Sequence, residues 1–396
     1  MTMQRLRSCE QTASSEPMTT TPMTILTEAF KESQQAFGRT LERKDAVVVS
    51  WPSVPVEIVR AAGLNPLVVR GRMGSTPSAD AYLEPGVFPG RLRWLVEAAL
   101  SGYFSDAACL VIPRTSDPDY KCFLYLREFG RLGIGPALPP VLLFDLLQSE
   151  GANVHAYNAA RAGALLDELT RVTGRSVSLD DVRLEIARAN MARAAARRLI
   201  AMRRGAPRVT GTEVFPLLGA FWGLDPDLYA NLAAAAAQEL EERAVLGGPR
   251  ILLAGAPVDG PVLHSAIESC GAVVVAEVGP WGSSAAGEDV PCFDDPIAAL
   301  ADKYCADAIG ARTPIARMRH TIAGLLDDVD GVIVSLPPDD TVFGWDYPWL
   351  RNLLEKRSIP HTCLHSDSCG PVLPADQERL DTLMNSLATR TEVRRG

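Results

Sequence analysis

The chain has 396 residues, of which 47% are apolar and 22% charged, the make-up of an ordinary globular protein. That length is more than one hydrophobic core usually organises, so two or three domains are expected. With 39 basic against 48 acidic residues the net charge is -9, which offers no broad positive field to a phosphate backbone and argues against nucleic acid as a partner.

Residues 1–22 (MTMQRLRSCEQTASSEPMTTTP) are rich in Thr, Ser and Met without an apolar period and read as a disordered leader. From Thr24 to Arg43 the spacing of Ile25, Leu26, Phe30, Phe37 and Leu41 predicts an amphipathic helix. Ala46 to Ser50 reads as a buried strand, Val56 to Ala62 as a helix ended by Gly63, and Leu67 to Val69 as a second strand. A helix over Arg91 to Leu100, a strand over Ala108 to Ile112 broken by Pro113, a helix over Tyr120 to Phe129 and a strand over Val141 to Phe144 follow. Strand and helix alternating in steps of about 30 residues is the rhythm of a parallel sheet.

Between Asn158 and Gly247 the strands disappear. Ser178, followed by Asp180 and Asp181, opens a helix that runs to Arg204, and Gly211–Gly223 and Asp225–Leu246 are helical too. At Pro249 the strand and helix rhythm resumes, with strands over Arg250–Gly255, Ala272–Ala276, Gly331–Val334 and His361–Leu364. Helices are predicted over Gly260–Cys270, Ile297–Ala306, Thr313–Leu326, Trp349–Lys356 and beyond Asp376. The fold class is therefore α/β: two Rossmann/flavodoxin-like parallel-sheet domains joined by a helical region. The expected divisions are a leader at 1–22, an N-terminal α/β domain at 23–157, a helical bridge at 158–247, and a C-terminal α/β domain with terminal helix and tail at 248–396. A ligand is expected in the cleft between the domains, at the carboxyl ends of the strands.

No stretch approaches the about 20 apolar residues of a membrane span, and the start lacks the basic head and apolar core of a secretory signal, so a cytoplasmic location without a membrane partner is expected. Eight cysteines are spread over the chain without a C-x-x-C pair, which does not describe a disulfide scaffold.

Few turns carry candidate chemistry. Gly255-Ala256-Pro257-Val258-Asp259-Gly260 joins a strand to a helix, where backbone N–H groups could receive an anion, but it is neither a full G-x-G-x-x-G nor a P-loop. Glu57 opens a helix just after Ser50-Trp51-Pro52-Ser53, a place favoured by the helix dipole and equally one that acid/base chemistry beside two hydroxyls would use. Ser116-Asp117 follows a strand by way of Pro113-Arg114-Thr115 and suits either a helix cap or a ligand contact. No H-x-x-x-H with a helical carboxylate and no G-x-S-x-G is present, so zinc and serine hydrolase readings lack support.

Several segments together resemble the 2-hydroxyacyl-CoA dehydratase and benzoyl-CoA reductase subunits. They are VPVEIVRAAGLNPLVVRG at 54–71, RLRWLVEAALSGYFSDAACLVIPRTSDPDYK at 91–121, RILLAGAPVDGPVLHSAIESCGAVVVAEVGPWG at 250–282 and DGVIVSLPPDDTVFGWDYPWLRNLLEKRSIPHTCLHSD at 330–367, in the family's order. The resemblance implies a subunit that pairs with a related cluster-bearing subunit and binds an acyl-CoA thioester as substrate. An ATP-dependent activator then supplies a low-potential electron to a 4Fe-4S cluster held on cysteines. It implies that Glu57, in the P-x-E-x-x-x-A-A-G segment, belongs to the acyl-CoA pocket as a catalytic residue with Ser50 and Ser53 beside it. It further implies that Ser116, Asp117, Gly255 and the Gly282 turn border the substrate. The chain departs from the family at the ligand positions: Gly86-Val87-Phe88-Pro89-Gly90, Ser116, Pro280 and Ser335-Leu336-Pro337-Pro338 stand where cysteines are usual, and none is a cysteine. No metal ligand is assigned in this chain. Two readings follow: an enzyme component that works with a cluster-bearing partner, or a non-catalytic binding and assembly paralogue that has kept the scaffold.

Overall fold

A computed structural model describes residues 21–35, 44–71, 74–84, 86–279, 286–291, 294–307, 312–338, 340, 342–367 and 370–395. The Gly282 turn and nearly all of the expected leader lie outside them. Pro22, the last residue assigned to that leader, already opens helix α1 (Pro22–Gln35).

The first half folds as β1 (Ala46–Val49), α2 (Val56–Ala61), β2 (Asn65–Val68), α3 (Pro77–Asp80), α4 (Gly90–Leu100), β3 (Cys109–Pro113), α5 (Asp117–Leu132) and β4 (Val141–Phe144). Four helices follow without a strand: α6 (Ala152–Thr173), α7 (Leu179–Ala201), α8 (Gly211–Gly219) and α9 (Pro226–Glu241). The second half runs β5 (Arg250–Gly255), α10 (Val262–Ser269), β6 (Val273–Glu277), α11 (Pro296–Asp307), α12 (Ile315–Leu325), β7 (Gly331–Ser335), α13 (Phe343–Lys356), β8 (His361–Leu364) and α14 (Pro374–Arg395).

Both sheets are four-stranded and all-parallel, in the orders β2-β1-β3-β4 and β6-β5-β7-β8. Each is a doubly wound order whose direction reverses between its two central strands, the place where such sheets leave a crevice at their carboxyl ends. The pleat divides the side chains by parity. Val47 and Val49 of β1, Ile251 and Leu253 of β5 and Ile333 of β7 enter one core shared with the helices, including Ile186 and Leu199 of α7 and Tyr229 of α9. Their neighbours Ala46 and Val48 pack outward under α4 and α5, and Leu252, Ala254, Val332 and Val334 do the same in the second sheet.

The sequence anticipates neither α3 nor α6. In α6 the buried apolar positions, Ala162, Leu165 and Leu169, are few and one of them is small, which dilutes the helical period. α13 begins six residues before the expected Trp349, because the Asp340 carboxylate caps it by accepting from the Phe343 and Gly344 N–H groups at 3.0 and 2.7 Å. α7 starts at the expected Ser178, whose side chain and that of Asp181 form a reciprocal capping box.

Candidate functional site at the carboxyl ends of the strands

The crevice of the first sheet opens where β1 runs into Ser50 and Ser53 and β3 runs into Arg114, Thr115 and Ser116. Ser50 and Ser53 are buried, and neither hydroxyl has a hydrogen-bond partner among the described residues. Ser53, Arg114, Thr115, Gln148 and Tyr304 line one small recess there, and Arg114 Nε and Gln148 Oε1 are also buried and unpartnered. Buried polar atoms are nearly always bonded to protein or ordered water, so this cluster of unmet ones at a sheet crevice is a place where water or a ligand would bond.

Beside it stands a tightly bonded pair. Arg91, in the first turn of α4, donates from Nη2 to Asp119 Oδ1 at 2.7 Å and lies over the Trp51 ring at 4.5 Å. The fully buried Asp119 also accepts from Thr115 Oγ1 at 2.5 Å and Ser116 Oγ at 2.7 Å. Ser116 caps α5 by accepting from the Asp119 N–H at 3.2 Å, while the side chain of Asp117 is largely solvent-exposed and 3.9 Å from Arg114. Arg91 Nη1 has no partner among the described residues. A cation in the first turn opposes the helix dipole, and that anomaly is the one sequence signal pointing to Arg91. On the other side Asp145, after β4, accepts from Arg114 Nη1 at 3.2 Å and from Arg312 Nη1 at 2.8 Å.

Glu57 lies beneath this crevice, completely buried where three parts of the chain meet. Its carboxylate is paired with Arg193 of α7 and accepts from the Tyr304 hydroxyl of α11 at 2.9 Å, and that hydroxyl in turn accepts from the Val56 N–H at 3.2 Å. Burial pushes the Glu57 carboxyl up, but the Arg193 charge and the hydrogen bonds it receives outweigh that and hold it below the ordinary range. Both carboxylate oxygens are thus engaged, and neither is hydrogen-bonded to the Ser50 or Ser53 hydroxyl.

At the second sheet, Gly255 ends β5 with φ +96°, and a Cβ there would lie 2.3 Å from the Ser335 carbonyl oxygen. The following Ala256 N–H donates to that same oxygen at 2.8 Å, so this N–H of the turn is already spoken for. Beyond it, Glu277 at the end of β6 accepts from Arg203 Nη1 and Nη2, both at 3.1 Å, and is 2.6 Å from His264 Nε2. Burial raises the Glu277 carboxyl, and His264 with Arg203 overrides it, bringing it down to about 2. Arg70, after β2, sits over the Phe30 ring at 4.2 Å; burial lowers its guanidinium to about 9 despite the nearby charges of Asp259 and Glu277. The sequence gives no sign of this buried charge group, because its members come from four distant segments.

A thiolate-held cluster does not fit the described residues. They contain no group of three His, Cys, Asp or Glu side chains arranged for a metal ion. Cys109 and Cys122 are buried, and burial pushes Cys109 up to about 12 and Cys122 higher still, the opposite of what thiolate ligation needs. Of the positions where the family resemblance calls for cysteine, Ser116 is consumed as a cap and the Ser335 carbonyl seals the β5 turn. Cys9, Cys292 and Cys369 lie outside the described residues.

Two flavodoxin-like parallel-sheet units with a shared helical layer and a polar crevice at the strand ends define a two-domain α/β protein of the doubly wound class. A family model described as 2-hydroxyglutaryl-CoA dehydratase, D-component, matches residues 53–387, and the chain belongs to that family. No curated protein matches it.

Proposed function

We propose that the chain is one subunit of a 2-hydroxyacyl-CoA dehydratase or benzoyl-CoA reductase-type complex and that it binds an acyl-CoA thioester at the crevice of the first sheet. The supporting observation is the pair of buried hydroxyls of Ser50 and Ser53, without hydrogen-bond partners among the described residues, at the point where the sheet reverses direction. Hydroxyl donors aimed at a thioester carbonyl oxygen stabilise the negative charge that develops there, and in a water-poor crevice that contribution is large. Redox chemistry, in this reading, belongs to a related cluster-bearing subunit served by an ATP-dependent activator. Arg91, Asp119 and the helix-capping Ser116 shape the crevice wall, and Glu57 holds its floor through Arg193 and Tyr304. The reading places the chain in the cytoplasm; among the described residues no helix is long and apolar enough to cross a membrane.

The test is calorimetric titration with acyl-CoA esters, for the chain alone and with its partner subunit, followed by turnover with the activator. Removing both hydroxyls by Ser50→Ala and Ser53→Ala is expected to lower turnover by about 10²-fold or more, the usual weight of such donors, with folding intact. The scattered described cysteines favour a second reading, a non-catalytic assembly paralogue. Failure to bind any CoA ester in either state selects it.

A further inference from the structure

Segments that follow the strands of the two units touch at the crevice, and one of these contacts depends on a missing side chain. Gly71 follows β2 in the first unit; Asp259 follows β5 in the second. A Cβ on Gly71 would lie 2.5 Å from Asp259 Oδ2, 3.1 Å from its Cγ and 3.3 Å from Arg91 Cβ. The absence of a Cβ therefore lets a carboxylate of one unit settle against the backbone of the other, beside Arg91 and within the field of Arg70. Asp259 is 7% exposed, so its charge has been carried out of water to reach this position, a cost repaid only by opposite charge close by. On the far side of the same mouth, Arg312 of the second unit donates to Asp145 Oδ1 at 2.8 Å and to the Arg114 carbonyl at 2.9 Å. Arg91 ties the first contact to the crevice through Asp119, which accepts from Thr115, and Thr115, with Ser53, Arg114, Gln148 and Tyr304, lines a recess far smaller than an acyl-CoA.

We propose that Asp259 is an interdomain clasp, seated on Gly71, that holds the second unit closed over the crevice of the first, and that a ligand enters only when it lets go. The inference rests on the crevice being the ligand site, and it makes Asp259 a gating residue without contact to the reacting atoms. The buried Glu57, Arg193 and Tyr304 node ties α2 to α7 and α11.

Two substitutions break the clasp from opposite sides. Asp259→Asn removes the charge; Gly71→Ala inserts the methyl that collides with the carboxylate, at a residue whose backbone φ is not in the left-handed region. In the full-length chain, hydrogen exchange read by mass spectrometry over 50–53 and 256–260 is expected to quicken by about tenfold or more in each variant, with exchange in α7 unchanged. Butyryl-CoA is then expected to bind each variant more tightly by a comparable factor, since a larger share of molecules is open. Wild-type exchange in both segments, in whichever variant folds, overturns the clasp. If exchange quickens but no variant binds butyryl-CoA, the clasp stands and the acyl-CoA reading falls. If butyryl-CoA binds the wild type and variants equally, the contact does not gate entry and the proposal is overturned.

Discussion

Glu57 shows how a residue's surroundings decide which chemistry it can do. In sequence it stands out by its place at a helix start after two serines, and that is all the local pattern can say. Its partners lie 136 and 247 positions further on, in helices with no periodic link to it, so the reading of an acid or base and that of an anchor look the same until the chain is folded. Folded, its carboxylate is saturated by Arg193 and Tyr304 and ionised. Replacing it by Gln leaves the Arg193 guanidinium, 1% exposed in its side chain, without its counter-charge; the expected loss is about 3–5 kcal/mol of stability, the range for breaking one side of a buried pair. Its pH signature has a definite sign. Glu57 and Glu277 both have folded-state carboxyls below the ordinary 4.5, so their stabilisation is complete above that value. It drains away as the pH falls from about 4.5 toward about 2, where Glu277 takes up its proton in the folded state. Urea midpoints measured from pH 7 down to pH 2.5 are expected to fall steeply in the wild type and less steeply in Glu57→Gln; parallel profiles would remove Glu57 from the account.

At the scale of elements, most strands among the described residues are legible because they are short apolar runs rich in β-branched residues, as in Ala46–Val49, and because both halves repeat the same rhythm; Asn65–Val68 and His361–Leu364, which carry polar residues, are legible by their place in that rhythm. The helical layer is legible only where an end is marked: Ser178 announces α7, whereas α6 has Gly151 before it with no capping side chain and escapes notice. The turn after β5 shows the limit of motif reading. Its glycine suggests room for a ligand's phosphate, yet Gly255 is required by a left-handed backbone and by the Ser335 carbonyl pressed against it. Gly255→Ala is accordingly expected to destabilise the fold by about 1–3 kcal/mol or more from strain at positive φ alone, with a lowered melting temperature at any ligand concentration. If melting stays unchanged while acyl-CoA affinity drops, the glycine serves a ligand after all. The crevice itself is only half readable. Ser50, Ser53 and Ser116 follow from their strands, but Arg91, Asp119, Gln148 and Arg312 reach it from elements whose packing no spacing reveals.

For the whole molecule, the decisive feature is that one face of each sheet feeds the same apolar core. Neither unit can keep that face dry without the helices between them, so heat is expected to unfold the chain in one cooperative step, with calorimetric and van't Hoff enthalpies equal. Two resolved transitions would show that the units hold separate cores. Sequence reasoning sees two units and a bridge; it does not see that the bridge is the centre, because apolar residues carry no label saying which neighbour they will meet. The position of α1 has a consequence for synthesis. Leu26 and Phe30 are buried by packing on α8 and α9, whose last residue is Glu241, so the helix leaves the ribosome long before its seat exists. At about 5–20 residues per second this is a wait on the order of ten to forty seconds, during which an oily stripe of the nascent polypeptide has only a chaperone or its own unfinished neighbours to shelter it.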